Sequence, residues 1–289
     1  MKVVRTIEEF NQLKVQHQNK SIGFVPTMGY LHEGHTSLMQ IARKEQDLVV
    51  ASIFVNPLQF GPDEDYDEYP RDELRDEQIA QKNGVDILFL PDVAEIYPKK
   101  LNVSMSIKRR ADVLCAKNRP GHFNGVITVL TKLFNIVQPD VAYFGLKDAQ
   151  QVAVVASLIE DLNFPIKLHA APTIREDDGL AKSSRNVYLS ASERKEAKNI
   201  YQALLYGRHL FVSGDQSMGK ITSEVISFLK VHTTGKIDYV DLLSYPDLKA
   251  HIGETEHLIL AVAIQYEQAR LIDNIIFNKH GEVIETITY

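Results

Sequence analysis

The 289-residue chain is poor in cysteine, has no long apolar run and carries no excess of basic charge. Each shortage removes a class of function. One cysteine, Cys115, forms no intrachain disulfide, and this matches a reducing, cytoplasmic setting. No uninterrupted apolar stretch is long enough to span a bilayer. The N-terminal residues lack the apolar core of a signal peptide, so no membrane partner is expected. The net charge is -6 with acidic and basic residues interspersed. That leaves no electrostatic footprint for nucleic acid. Internal repeats, low-complexity segments and Ser-His-Asp or Cys-His patterns are also missing. What is present is ample apolar content, 44% of residues, enough for one large domain or two smaller ones.

The first ~170 residues alternate short apolar runs with helical spacing, the pattern of parallel βαβ units. Strands are predicted at 21–25, 48–55, 86–90, 141–144 and 166–170. Helices are predicted at 8–16, 36–45, 72–82, 124–137 and 148–162. The pattern changes after Pro172, where 173–179 is polar and turn-prone. Helices are then predicted at 192–212 and 217–231, followed by strands at 237–243, 257–262 and 269–277. Helices followed by strands indicate a small α+β domain, with the boundary between about 173 and 182.

The richest stretch is Pro-Thr-Met-Gly-Tyr-Leu-His-Glu-Gly-His at 26–35, between an apolar run and a helix start. Ligands of open α/β sheets bind at carboxyl ends of strands beside helix N-termini, where free N–H groups suit phosphate. His32 and His35 sit three residues apart, on one side of the opening turn. Three readings stand: local helix capping, metal ligation, and phosphate binding through ring N–H donors. Asn56 and Gln59 follow a second strand and suit a polar small molecule, or form an ordinary turn. The acidic segment 62–71 is a solvated loop or a source of Mg²⁺ carboxylates. The stretch 117–125, with Arg119 and His122, is an anion-binding concavity or a plain loop. Gly145, Lys147 and Gln151 follow a third strand, and Gly145 permits close approach while Lys147 neutralises phosphate. Lys182-Ser183-Ser184-Arg185 offers two hydroxyls between two cations.

Taken together, these pieces resemble the pantothenate synthetase (pantoate–β-alanine ligase) family. His32-Glu33-Gly34-His35 is similar to the HxGH signature that this family shares with other nucleotidylyltransferases. Lys182–Arg185 is similar to the second, KMSKS-like signature. The resemblance spans the first domain and the linker, while the last ~90 residues contribute little.

The resemblance implies a Rossmann-like, parallel-sheet N-terminal domain at 1–175 and a smaller α+β C-terminal lid at 176–289. It implies conversion of (R)-pantoate, β-alanine and ATP to pantothenate, AMP and diphosphate through pantoyl adenylate. His35, His32 and Lys147 are the implied catalytic residues. ATP contacts fall on Met28, His32, His35, Gly145, Lys147, Asp148, Ile174, Lys182, Ser183, Ser184 and Arg185. Pantoate falls on Gln59 and Gln151, and β-alanine on Gln59. Mg²⁺ is implied, with Asp65 as an indirect contact, and so is a homodimer. Two positions depart from the family pattern. Lys182 stands where an apolar residue is common, and either aids phosphate binding or points to solvent. Leu146 replaces a frequent polar residue and is expected to face away from ATP. The polar linker 175–179 suggests hinge closure over the site. The rival readings are another nucleotidylyltransferase or a catalytically inactive nucleotide sensor.

Overall fold

The structure is a computed structural model and describes residues 1–62, 64, 66–214, 217–250 and 256–289. Its first unit is built on strands β1 (Lys2–Val4), β2 (Ile22–Thr27), β3 (Leu48–Ile53), β4 (Ile87–Phe89), β5 (Val141–Gly145) and β6 (Lys167–Ala171). These alternate with helices α1 (Ile7–Val15), α2 (Glu33–Glu45), α3 (Glu73–Lys82), α4 (Val93–Ile96), α5 (Cys115–Asn118), α6 (His122–Val137) and α7 (Ala149–Asp161). The second unit carries α8 (Ala191–Ala197), α9 (Asn199–Val212), α10 (Met218–His232), and strands β7 (Lys236–Tyr245), β8 (His257–Gln265) and β9 (Arg270–Asn278). A final short strand, β10 (Ile287–Thr288), ends the chain.

The large sheet runs β1-β4-β3-β2-β5-β6-β10 and is parallel except at β10. Strands β3 and β4 lie to one side of β2, and β5 and β6 to the other. The order therefore reverses between β2 and β5, which makes a topological switch point. β2 pairs with β3 over six residues, but with β5 only at Gly23 and Phe24. Their carboxyl ends thus flank an opening. This is where the 26–35 loop and Gly145–Lys147 leave the sheet.

Strands β7, β8 and β9 form a separate antiparallel sheet. Leu204 and Phe211 of α9 and Ile221 and Val225 of α10 pack against Leu258, Leu260 and Phe277 on one face. On the other face, Leu243, Tyr245, Ile259, Ala261 and Ile276 join the same buried cluster as Phe144, Val126 and Val152. Burial at 25–30 cal/mol per Å² makes such a shared apolar seam the main force docking the two units.

The expected α/β architecture is present, and three details refine it. Within the segment expected at 176–289, β10 returns and pairs antiparallel with β6 at Ala170 and His169. A two-residue strand is too short to leave an alternating pattern. The helix expected at 192–212 is two helices that meet at Lys198. The linker 175–179, read as a hinge, is anchored in this structure at Arg175. The Arg175 guanidinium makes a bidentate pair with Asp273 at 2.6 and 3.0 Å and lies 3.7 Å above the Tyr201 ring. Strand β1 and helices α4 and α5 were also absent from the pattern reading. Each is only three or four residues long.

Candidate active site

Thr27 ends β2, and the loop behind it is held by one carboxylate from α3. Asp76, 1% exposed, accepts the Tyr30 and Leu31 backbone N–H groups at 2.6 and 2.7 Å. Tyr30 has a positive φ of 50°, and Arg75 covers its ring while bonding Leu31 carbonyl oxygen at 2.9 Å. Burial raises the Asp76 pKa, against the two backbone donors that lower it. The clamp fixes where α2 begins.

His32 is the N-cap of α2. Its Nδ1 accepts the Gly34 N–H at 3.1 Å, and His35 Nδ1 accepts the His32 N–H at 3.3 Å. A nitrogen that accepts a backbone N–H carries its lone pair there, so each neutral ring bears its proton on Nε2. Capping and ligand binding, posed as alternatives from sequence, are compatible. One nitrogen of each ring satisfies the helix end and the other is left to donate. The rings lie 4.1 Å apart between centroids, tilted by 39°. Burial, aided by Lys147, holds the His32 pKa down at about 4. His35 lies well below its ordinary value for the same first cause, with His32 and Lys147 adding to it. Both are neutral donors near neutral pH, and neither offers a free lone pair to act as a base toward a hydroxyl.

Gln59 ends a 3-10 turn, Pro57–Gln59, capped by Asn56. Its Nε2 donates to Met28 Sδ at 2.8 Å, and its Oε1 accepts from Asn56 Nδ2 at 3.2 Å. Tyr97 in turn donates to Asn56 Oδ1 at 3.0 Å. The turn lies hard against α6. A Cβ on Gly125 would come within 2.1 Å of Leu58 carbonyl oxygen, so only glycine admits this approach. The segment 117–125 is neither an open cationic concavity nor a plain loop. His122 Nδ1 donates to the Gln59 carbonyl at 2.8 Å, Arg119 contacts His122 Nε2 at 3.2 Å, and Glu64 grips Arg119 at 2.5 and 2.9 Å.

From β5, Gly145 leads into a 3-10 turn at Leu146–Asp148 that carries Lys147. Nothing lies within 4 Å of where a Gly145 Cβ would be, so the backbone there faces open space. Lys147 Nζ is 3.5 Å from both Asp148 carboxylate oxygens. Leu146 is 3% exposed and packed in the core, in keeping with the sequence reading. Gln151 is the third residue of α7.

A cavity of about 230 Å³ collects these side chains. Its wall contains Met28, His32, His35, Gln59, Gly145, Lys147, Asp148, Gln151, Ile174, Lys182, Ser183, Ser184 and Arg185. Every site residue that the family resemblance implies is therefore in one wall except Asp65, which lies outside the described residues; Asn56 is buried behind Gln59 and does not line the cavity. A larger cleft of about 1260 Å³ between the units shares Arg119, His122, Lys147, Asp148, Gln151, Ser183 and Arg185 with it. Lys182 lines the cavity and is held by two carboxylates. Its Nζ pairs with Glu176 at 2.8 Å and Glu33 at 3.2 Å, which joins the second signature to the start of α2. The hydrogen bond to Glu176 is the first cause of its raised pKa. Ser183 caps the turn Ser184–Tyr188, and the Arg185 guanidinium lies 5.9 Å from the Tyr69 ring. Asp76, Glu33 and Glu176 escaped the sequence reading because acidic residues in helix starts and polar turns look like solvated surface.

A family model described as pantoate-beta-alanine ligase matches residues 2–276. The chain belongs to the pantoate–β-alanine ligase family. It is 56% identical over 277 residues to a pantothenate synthetase of a Geobacillus species, covering 95% of this chain and 98% of that protein. It is 54% identical over 280 residues to one from Bacillus pumilus, covering 96% and 97%. The pantothenate synthetase structure from Thermus thermophilus superposes with a TM-score of 0.90 at 43% identity, covering 95% of this chain and 99% of that one. A Francisella tularensis pantoate-beta-alanine ligase, solved with beta-gamma ATP and beta-alanine, gives 0.79 at 34% identity, covering 96% and 98%. Pantoate–β-alanine ligases thus share this whole architecture, both units included.

Proposed function

We propose that the chain condenses (R)-pantoate with β-alanine at the expense of ATP, through an enzyme-bound pantoyl adenylate. The observation that carries this reading is the convergence of His32, His35 and Lys147 with Gln59 and Gln151 on one cavity. The first three are donors suited to a phosphate. The two amides suit a hydroxylated carboxylic acid.

In the first step a pantoate carboxylate oxygen bonds to the α-phosphorus of ATP. The bond from that phosphorus to the bridging oxygen breaks, and diphosphate leaves. Charge builds on the α-phosphoryl oxygens, so the step needs preorganised donors rather than acid–base work. Neutral imidazoles with Nε2–H outward and the Lys147 ammonium supply them. Ser183, Ser184 and Arg185 address the remaining phosphates, with Met28, Gly145, Asp148 and Ile174 around the nucleoside. Lys182 is assigned to holding the second signature against α2. In the second step the β-alanine amine, beside Gln59, attacks the acyl carbon. The acyl–oxygen bond to AMP breaks and the amine proton passes to solvent.

Magnesium fits this donor set as a companion of the nucleotide. It needs only one or two carboxylates with phosphates and water, and Asp67 and Glu68 of the acidic segment line the adjoining cleft. Among the described residues no three His, Cys, Asp or Glu side chains form a protein cage for it. When bound it acts as a Lewis acid on phosphate oxygens. The family likeness also supports a homodimer, and the free thiol of Cys115 accords with the cytoplasm. Among the described residues no helix is long and apolar enough to cross a membrane.

Exchange of labelled diphosphate into ATP tests the reading. Exchange that requires pantoate supports it. Exchange without pantoate would assign the chain to a different nucleotidyl transfer.

A further inference from the structure

Lys147 carries much of the proposed adenylation chemistry, yet the turn that bears it is held from the second unit. Asn274 lies in the middle of β9, opposite Ala261 of β8, and is 8% exposed. Its Nδ2 donates to the carbonyl oxygens of both Leu146 and Lys147, at 2.9 Å each. Only the NH₂ end of the amide can face two carbonyls, and both of its hydrogens are used. The neighbouring Asp273 is 4% exposed. Its Oδ1 accepts the Asn274 backbone N–H at 2.8 Å, and its carboxylate holds Arg175. Arg175 follows Ile174 and also donates to Gly179 carbonyl oxygen at 3.1 Å. Two adjacent side chains of one strand thus tie together the Lys147 turn and the segment leading to the second signature. Asn274 itself lies in the wall of the larger cleft, outside the smaller cavity.

We propose that Asn274 is a positioning residue for Lys147, through which the docked second unit sets the geometry of the adenylation step. The proposal rests on the reading of Lys147 given above. β9 is hydrogen-bonded along its length to β8, so the amide is a rigid anchor rather than a mobile side chain. Lys147 Nζ lies at the end of a flexible four-carbon stem, so its reach depends on where its backbone stands. Errors of about 1 Å in such a group cost about 100-fold in rate. In this scheme the second unit does more than cover the site, because loosening it removes support from a phosphate donor in the first unit.

The test uses the full chain and pantoate-dependent diphosphate–ATP exchange. Four variants are compared with the parent: Asn274→Ala, Asn274→Ser, Lys147→Ala and the Asn274→Ala/Lys147→Ala pair. Asn274→Ala is expected to lower kcat by about 10- to 100-fold, with the KM for pantoate within about twofold. Asn274→Ser keeps one donor and should fall between parent and alanine; it gives the same reading if the alanine variant does not fold. In the Lys147→Ala background, removing Asn274 should change exchange by less than about twofold, since coupled residues are non-additive. Full activity in both Asn274 variants overturns the proposal, and so does an equal fold-loss with and without Lys147. Wild-type exchange by Lys147→Ala would instead overturn the role of Lys147 on which the proposal rests, which separates the two failures.

Discussion

His122 offers the most quantitative test of how the cavity is built. Burial first, and Arg119 second, hold its pKa at about 4, against the raising effects of the Gln59 carbonyl, Glu64 and Asp148. An unfolded histidine titrates near about 6.5. The folded value is the lower one, so as pH falls the unfolded chain takes up the proton first. The stability tied to neutral His122 is therefore complete above pH ~6.5 and is lost as pH drops toward ~4. At pH 5 the unfolded imidazole is about 97% protonated and the folded one about 10%. Integrating the difference from pH 7 to pH 5 gives about 2 kcal/mol from this residue alone. Urea unfolding of the parent and of His122→Gln, followed by circular dichroism at both pH values, measures it. The drop in stability between pH 7 and pH 5 should be about 2 kcal/mol smaller in the variant. If parent and variant lose the same amount, His122 is not a buried neutral bracket for Gln59, and the argument for that bracket fails.

Three further outcomes follow from the same geometry. His35→Ala should slow adenylation by about 10²–10³-fold, the cost of one oxyanion-type donor, as read by pantoate-dependent exchange. Near-normal turnover would remove His35 from the centre of the reaction. Gln59→Ala should raise the apparent KM for pantoate well above any change for ATP in steady-state kinetics, whereas equal shifts would point to a structural role. Asp76→Ala strands the buried Leu31 N–H, at about 1–3 kcal/mol, and the half-buried Tyr30 N–H, at less. Its urea midpoint should fall sharply, and an unchanged midpoint would show that the loop before α2 needs no clamp.

The switch point was legible because its parts are strong local signals. The apolar runs that became β2 and β5 each end in glycine-containing polar loops, and helical spacing follows. His32, Gln59, Lys147 and Arg185 were legible because their residue types and spacings match two signatures and a strand-end pattern. The Nδ1 capping role of the histidines was legible only as a rival to their function, since sequence does not say that a ring has two nitrogens to spend separately. Asp76 was hidden because a carboxylate in a helix first turn is ordinary capping chemistry, and only the fold brings it under Tyr30 and Leu31. The Lys182 ion pair was hidden for a related reason: Glu33 lies 149 positions before it, and no local pattern announces the pair. Asn274 sits in a strand recognised by its apolar neighbours, so its amide drew no notice. The return of β10 left no trace at all, because two residues carry no period.

The central claim is that this cavity activates pantoate with ATP before β-alanine enters the reaction. The most direct measurement is a single-turnover incubation of the chain with (R)-pantoate and ATP labelled at the α-phosphate, without β-alanine. The expected result is enzyme-bound pantoyl adenylate in near-stoichiometric amount, with diphosphate released and AMP appearing only when β-alanine is added. AMP or ADP formed without pantoate, or no adenylate until β-alanine is present, would contradict the account.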